Sequence, residues 1–155
     1  MPDIPPPGLQ FAFELAAEIG PPLDLGLTGN GRRRIIPILG GRFQGPEIRG
    51  RVLPGGADWQ IVRADGSAEL DARYTLETES GGLIYVMNRG IRQGSKDILD
   101  QLNSGQAVDP RLYYFRTIPT FESSAPECYW LTRALFVGSG ERYPDKVLLR
   151  VWKVL

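Results

Sequence analysis

The stretch from residue 54 to residue 90 shows the clearest alternation of apolar and polar positions in the chain. Between residues 68 and 77 every second residue is apolar, and the residues between them are mostly charged. Alternate side chains of a strand lie on opposite faces, so this pattern predicts a strand with two faces of different character. Asp65-Gly66 and Ser80-Gly81-Gly82 flank it as turn signals. Three strands joined by two tight turns are therefore expected here.

Apolar patterning predicts further strands before and after this stretch. They cover residues 9–16, 32–38, 42–44, 47–53, 112–117, 127–137 and 146–155, with turns or loops at 23–31, 40–41 and 138–140. About nine short strands favour an antiparallel barrel or a sandwich. Several strands are apolar on both faces, which suits a barrel that also packs outward. We therefore expect an all-β fold, an antiparallel β-barrel of roughly 8–10 strands.

Residues 93–109 interrupt the strand pattern. Ser95 is a suitable N-cap for a short helix, and Gly105 follows its expected end. An insertion of this length among short strands is often a functional loop, so we expect a lid over the barrel mouth. The predicted organisation is a flexible segment at residues 1–8 and a single barrel domain at 9–155, with a lid-like insertion at 93–109.

Composition narrows the partners and the compartment. The 155 residues carry 18 basic and 18 acidic side chains, and one cysteine. A neutral chain argues against nucleic acid or an anionic membrane as partner. One cysteine forms no disulfide within the chain, and the first residues lack the pattern of a secretion signal. We expect a cytoplasmic protein that binds a small molecule, without nucleic acid or membrane as partner.

The sequence contains no histidine. This excludes a Ser-His-Asp triad, a Cys-His dyad and imidazole metal ligands. Proton transfer would fall to carboxylates or phenols, and anion binding to arginine. We expect neither a metal nor a cofactor.

Four residues are the candidate catalytic groups. Asp71 and Arg73 share one strand face, so a carboxylate and a guanidinium project together; the alternative is a charged surface ladder. Arg116 and Tyr114 lie in the most aromatic strand, where an internal arginine needs an anion; the alternative is a surface arginine with its stem packed down. If these side chains line one cavity, substitutions at Asp71, Arg73 and Arg116 should reduce activity or ligand binding.

Aromatic and amide side chains are the candidate ligand-binding groups. Trp59, Tyr74, Tyr85, Asn88, Tyr113 and Trp130 form this set. Aromatic strand residues are more often core than ligand pocket. For Asn88, and for Asp58, which also lies near a predicted strand end, hydrogen bonding within a turn is the alternative.

Several separated motifs resemble one family. They are Gly31-Arg32-Arg33-Arg34-Ile35, Gly40-Gly41-x-Phe43-x-Gly45-Pro46, residues 52–59, residues 70–74, Tyr114-Phe115-Arg116-x-x-Pro119-x-Phe121-Glu122, Trp130-Leu131 and residues 136–138. Together they resemble the bacterial and fungal "domain of unknown function 3237" family, from about residue 9 to the end. The resemblance implies a small β-barrel, similar to the allene oxide cyclase and dirigent barrels, which act without a cofactor on apolar oxygenated molecules.

These observations lead to two main functional expectations. The first is a cofactor-independent lyase, isomerase or cyclase acting on an oxygenated aromatic or polyketide-like substrate inside the barrel. The alternative is a non-catalytic binding barrel, and a purely structural subunit is a third class. Since residues 127–137 read as a strand with two apolar faces, we also expect a homodimer or higher homo-oligomer.

Overall fold

The computed structural model describes residues 2–155 and contains ten strands and one short α-helix. The elements are β1 (Leu9–Ile19), β2 (Leu23–Thr28), β3 (Gly31–Gln44), β4 (Arg49–Val52), β5 (Gly56–Val62), β6 (Ala68–Thr78), β7 (Leu83–Gln93), α1 (Lys96–Asn103), β8 (Tyr114–Glu122), β9 (Phe136–Arg142) and β10 (Lys146–Val154). Two 3-10 helices, Pro110–Leu112 and Pro126–Thr132, precede β8 and β9. The prediction of an all-β fold with one short helix is confirmed.

The strands form one closed antiparallel barrel. Their hydrogen-bonded order is β1-β10-β9-β8-β7-β6-β4-β3-β2, β5 bridges β3 and β6, and pairing between β1 and β3 closes the ring. Long β3 serves two neighbours in turn, because its first half pairs with β5 and its last residues pair with β4. Strand β2 pairs only with the first residues of β3 and lies outside the ring.

Glycines allow the closure between β1 and β3. A side chain at Gly41 would start 2.0 Å from the Ala16 carbonyl oxygen, and one at Gly45 would start 2.0 Å from the Ala12 carbonyl oxygen. Gly41 also has a φ of 134°, which favours glycine. The chain therefore continues as one bent strand through Gly40-Gly41, where the sequence predicted a turn; that prediction is wrong.

The central three-strand stretch folds as predicted, with one difference in its first turn. Arg63 pairs with Ser67, so the loop has three residues, and Gly66 alone takes a positive φ, of 86°. The Asp65 side chain accepts a hydrogen bond from the Ser67 N–H at 2.9 Å. Gly81, with a φ of 90°, makes the second turn. On β6 the even-numbered residues face inward and the odd-numbered residues face outward.

Large apolar side chains fill one end of the barrel, here called the packed end. The Phe13 ring meets the rings of Phe43 and Phe121 edge to face at 5.9 and 6.0 Å, and Phe121 meets Phe136 at 5.2 Å. Leu131 and Cys128, both fully buried, complete this core from the 3-10 helix before β9. Such packing is typical of a protein core.

The insertion lies at the opposite end. Ser95 caps α1 by accepting a hydrogen bond from the Ile98 N–H at 3.3 Å, and Leu99 and Leu102 are buried. The Leu99 side chain lies beside the β5–β6 turn at Gly66, and Ile98 lies near Tyr113. The predicted helix and its cap are confirmed, and its role as a lid stays a prediction.

Three other predicted elements are wrong. Residues 126–132 form a 3-10 helix, whereas a strand was expected over 127–137. Residues 138–140 lie inside β9, because glycine at position 140 leaves space for the Phe115 ring directly over the strand. The expected loop at 23–31 contains β2.

The argument for a homo-oligomer rested on a strand at 127–137 with two apolar faces. Since that strand is absent, the argument loses its support, and oligomerisation stays a prediction.

Candidate functional site

A cavity, here called the chamber, occupies the barrel between the packed end and the insertion. The volume within it that the centre of a water molecule can reach is about 60 Å³. On the same measure a single water needs ~10–15 Å³, so the cavity is large enough for more than one water. All eight ring strands other than short β4 contribute to its wall. The lining residues are Leu15, Ala17, Ile19, Ile36, Ile38, Asp58, Gln60, Leu70, Ala72, Tyr74, Asn88, Arg92, Phe115, Thr117, Arg142, Val147 and Leu149.

Asp58 is the single carboxylate of the chamber wall. Backbone pairing between β5 and β6 is interrupted after Asp58, and here the carboxylate replaces a main-chain acceptor. Its Oδ1 accepts from the Asp71 N–H at 2.9 Å, and its Oδ2 accepts from Gln60 Nε2 at 3.2 Å. Desolvation by the surrounding protein outweighs these bonds and raises the pKa of Asp58. A carboxyl group whose pKa is raised is a stronger base than an ordinary aspartate and can both take and return a proton.

Arg92 on β7 and Arg142 at the end of β9 are the two cations of the chamber wall. They are 4% and 8% exposed. None of the ion pairs found within residues 2–155 includes either guanidinium. Burial, together with the positive charge of Arg142, lowers the pKa of Arg92 to about 9, and burial also lowers the pKa of Arg142. Two buried guanidinium groups without a carboxylate partner are costly to the fold and favour an anion.

Four polar atoms of the chamber wall, three of them on neutral side chains, also lack partners within the described residues. Gln60 Oε1, Asn88 Oδ1, Thr117 Oγ1 and Arg142 Nη1 are buried and make no hydrogen bond within the described residues. Burial raises the pKa of Tyr74, so its hydroxyl stays protonated and available as a donor. Buried polar atoms are nearly always satisfied in native proteins, so this group marks a place where a polar ligand belongs.

The four predicted catalytic residues lie on the outer surface of the barrel. Asp71 and Arg73 form an ion pair with Nε and Oδ1 3.5 Å apart, and their side chains are 34% and 43% exposed. Arg116 and Tyr114 are exposed, with the guanidinium 5.5 Å from the Tyr114 ring centre. The expectation that these side chains line the cavity is wrong: the odd residues of β6 and the even residues of β8 point outward. Their catalytic role stays an untested prediction.

The six predicted ligand-binding residues divide between the interior and the surface. Tyr74 and Asn88 line the chamber, and Tyr113 is buried nearby, where its hydroxyl accepts from the Arg142 N–H at 3.0 Å. Trp130 packs against Phe136 at the packed end, with ring centres 6.0 Å apart. The side chains of Trp59 and Tyr85 are exposed, because odd residues of β5 and β7 point outward at these positions.

Sequence reasoning missed the charged groups of the chamber. Asn88 and Arg92 share a face of β7 by period two, and Asp58 shares a face of β5 with buried Gln60. The signal was therefore present once one inward residue was known. Asp58 lies within a strand, so the predicted turn role is wrong. Arg142 lies at the end of β9, whose glycines predicted a loop. No local sequence pattern identified Arg142 as a residue of the interior.

A closed antiparallel barrel with a packed end and an internal chamber, whose mainly apolar wall carries a few charged and polar groups, defines the class of this protein. The model of the family described as "Protein of unknown function (DUF3237)" matches residues 7–154. The chain belongs to that family, as its motifs suggested.

Relatives and solved structures agree with this assignment. A "UPF0311 protein" of Rhodopseudomonas palustris (strain TIE-1) is 47% identical over 146 residues, which cover 94% of this chain and 95% of that protein. The crystal structure of RPA1785, a conserved protein of unknown function from the same species, superposes with a TM-score of 0.93 at 45% identity, covering 98% and 100% of the two chains. A β-barrel-like protein from Acinetobacter baumannii AYE has a TM-score of 0.87 at 41% identity, covering both chains fully.

A more distant structure shares the fold alone. It is described as an enzyme from Penicillium herquei and has a TM-score of 0.73 at 22% identity, covering 99% of this chain and 98% of that one.

In the described part of the present chain, no three His, Cys, Asp or Glu side chains are grouped to hold a metal. Among the same residues, none of the helices has the length and apolar character required to span a bilayer.

Proposed function

We propose that this protein is a cofactor-independent enzyme that moves a proton at a carbon next to a carbonyl group. This step is common to isomerases, lyases and cyclases. The observation that carries the proposal is the chamber itself, whose mainly apolar wall holds one carboxylate and two guanidinium groups. Neither guanidinium forms an ion pair within residues 2–155. The chamber favours a small member of the oxygenated, aromatic or polyketide-like substrates that the sequence suggested.

In the proposed step Asp58 acts as the base. The carboxylate takes the proton from the carbon, and the pair of electrons of the C–H bond becomes the enolate. Its oxygen then carries negative charge, which a guanidinium and the Tyr74 hydroxyl stabilise. The proton returns from Asp58 to another carbon in an isomerisation. Alternatively, in an elimination the enolate electrons form a carbon–carbon double bond and expel a group on the next carbon, which leaves with the proton held by Asp58. In a cyclisation, Asp58 takes the proton of a substrate hydroxyl, whose oxygen adds to a double bond conjugated with the carbonyl, and the enolate carbon then receives that proton.

The apolar residues of the wall support this chemistry. Leu15, Ile38, Phe115 and Leu149 exclude bulk water and hold the reacting atoms. In such surroundings a fixed positive charge stabilises an oxyanion more strongly than in water. Asp58 is held in place by its bonds to the Asp71 N–H and Gln60, so the base needs little reorganisation.

Carbon-bound hydrogen exchange tests this proposal without knowledge of the natural substrate. The protein is incubated in D₂O with small ketones, aromatic ketones and oxo acids, and proton NMR follows the loss of the C–H signal next to the carbonyl. We expect acceleration for at least one compound, its loss in Asp58→Asn, and its retention in the outer-surface variant Arg116→Ala. If compounds bind in the chamber but none exchanges faster, the protein is a binding barrel and the enzyme proposal is wrong.

A further inference from the structure

The charges in the chamber do not balance. Arg92 and Arg142 contribute two positive charges, and Asp58 contributes one negative charge when ionised. Arg34, which is half-buried, adds positive charge close enough to disfavour the charged forms of both arginines. An ionised Asp58 leaves at least one positive charge of the wall without a counter-charge. Buried charges in proteins are normally paired, so the partner is expected to come from outside the chain.

Contacts fix the side chain of Arg92 and the main chain of Arg142. The Arg92 guanidinium carbon lies 5.6 Å from the centre of the Phe115 ring, a cation–π contact that fixes it over the β8 wall. Tyr113 anchors the main chain of Arg142 by accepting its N–H at 3.0 Å. Nη1 of Arg142 is buried and has no hydrogen-bond partner among residues 2–155. The cationic end of the chamber is therefore preorganised, with at least one N–H unsatisfied.

We infer that the chamber takes a small monocarboxylate, with the carboxylate held by Arg92 and Arg142 and a mainly hydrocarbon body against the apolar wall. This inference names the substrate class of the proposed enzyme and rests on that proposal for its catalytic meaning. A guanidinium is planar and presents two parallel N–H groups, which match the two oxygens of a carboxylate.

Charge and wall composition favour one carboxylate over a dianion. Both oxygens of Asp58 accept hydrogen bonds. With Asp58 ionised, two arginines less one carboxylate leave a single positive charge. Ile36, Val147 and Leu149 offer only hydrocarbon surface. The unpaired oxygens of Gln60 and Asn88 would receive an O–H carried on the chain of the acid. An oxygenated monocarboxylate satisfies all of these groups together.

Binding of matched acids and amides tests the inference on the unmodified protein. The probes are unbranched carboxylates from propionate to hexanoate and benzoate, each with its neutral amide, and phenylphosphonate as a dianion. Isothermal titration measures their affinities. We expect at least one carboxylate to bind on the order of tenfold or more tightly than its amide, a factor typical of a single charge-assisted contact. Equal binding of acid and amide, or a preference for the phosphonate, would overturn the assignment.

Two chamber variants and one surface variant locate the binding. Arg142→Met and Arg92→Met keep a long apolar stem but remove the charge, so carboxylate affinity should fall about tenfold while amide affinity changes little. Arg116→Met is the matched control on the outer surface. Unchanged carboxylate binding in both chamber variants contradicts the inference, and loss in the control alone places the site outside the barrel.

The two proposals fail in different ways. If carboxylates bind through the two arginines but no compound exchanges its carbon-bound hydrogen, the substrate class stands and the enzyme proposal fails. If exchange is fast only for neutral ketones and Arg142→Met binds acids like the wild type, the enzyme stands and the carboxylate inference fails.

Discussion

Two sets of carboxylates and guanidinium groups lie on opposite sides of the barrel wall. The outer pair, Asp71 and Arg73, is in contact with solvent. The inner set, Asp58, Arg92 and Arg142, faces the chamber, and its guanidinium groups have no ion-pair partner within residues 2–155. The two sets meet at one residue, because the main-chain N–H of Asp71 donates to Asp58. Sequence spacing favoured the outer pair, and the fold favours the inner set.

The difference lies in what solvent does to a charge. Water screens an exposed pair, which typically contributes ~0.2–1 kcal/mol and little else. In the inner set, desolvation raises the pKa of Asp58 and lowers that of Arg92 to about 9. The protonation equilibria of such buried groups respond strongly to the charge of a ligand bound beside them. Two side chains that project together on a strand therefore say little about function until the inward face is known.

Removing an inner arginine should give the largest effect. In Arg92→Met we expect hydrogen exchange catalysis to fall on the order of a hundredfold, as for loss of one oxyanion donor. The free energy of unfolding should rise by about 1–4 kcal/mol, because an unpaired buried charge is replaced by an apolar side chain. Proton NMR exchange rates and urea denaturation measure the two changes. Parallel loss of activity and stability would mean that Arg92 is a structural residue.

Asp58 offers the next effect in size. Asp58→Ala removes the acceptor for the Asp71 N–H and Gln60, so we expect a loss of about 1–3 kcal/mol of unfolding free energy. Asp58→Asn keeps one acceptor oxygen and should lose less, while both variants lose catalysis. Urea denaturation compares them. Equal stability of the alanine variant and the wild type would show that the carboxylate does not support the pairing of β5 and β6.

The pH dependence of stability separates Asp58 from the surface. Because burial raises the pKa of Asp58 in the folded protein above the ordinary value of an aspartate, the folded state keeps the proton to higher pH than the unfolded state. Its contribution to stability is full below the unfolded pKa and is lost as pH rises through the folded pKa. Asp58→Asn lacks this loss, so its stability relative to wild type should rise as the pH increases from the ordinary pKa of an aspartate through the raised pKa of folded Asp58. Denaturation across that range tests this, with Asp71→Asn, which leaves Asp58 intact, as control.

Strand alternation predicted most of the barrel because one-sided burial leaves a local signal. The alternation at residues 68–77 and the glycine turns on either side gave the centre of the fold, and Ser95 and Gly105 gave the helix. Glycines predicted turns at residues 40–41 and 138–140, and both predictions were wrong. Gly41 instead allows the Ala16 carbonyl to approach closely, and Gly140 leaves space for the Phe115 ring. Those contacts join residues distant in sequence, and no local pattern reports them.

The candidate site could not be predicted without knowing which face of each strand points into the barrel, and the alternation of residues does not give this. Period two assigns Asp71 and Arg73 to one face and Tyr74 to the other, but does not say which faces inward. Tyr74 and Asn88 were predicted as ligand-binding residues and do line the chamber. Arg142 was not predicted, because the residues just before it, 138–140, were expected to form a loop. Aromatic neighbours suggested an internal Arg116, yet Phe115 occupies the opposite face of β8 and Tyr114 lies beside Arg116 on the outer face.

The smallest effects are expected from the outer pair. Asp71→Asn and Arg73→Ala should each change the free energy of unfolding by no more than about 0.5–1 kcal/mol, since the partners are 3.5 Å apart and solvent-exposed. The Asp71 N–H still donates to Asp58 in both variants, so the inner set keeps its geometry and hydrogen exchange catalysis should match the wild type. Urea denaturation and the NMR assay, run beside Asp58→Asn, measure both. A tenfold or greater loss of catalysis in a stable outer variant would restore the site that the sequence spacing suggested and remove the chamber from the mechanism.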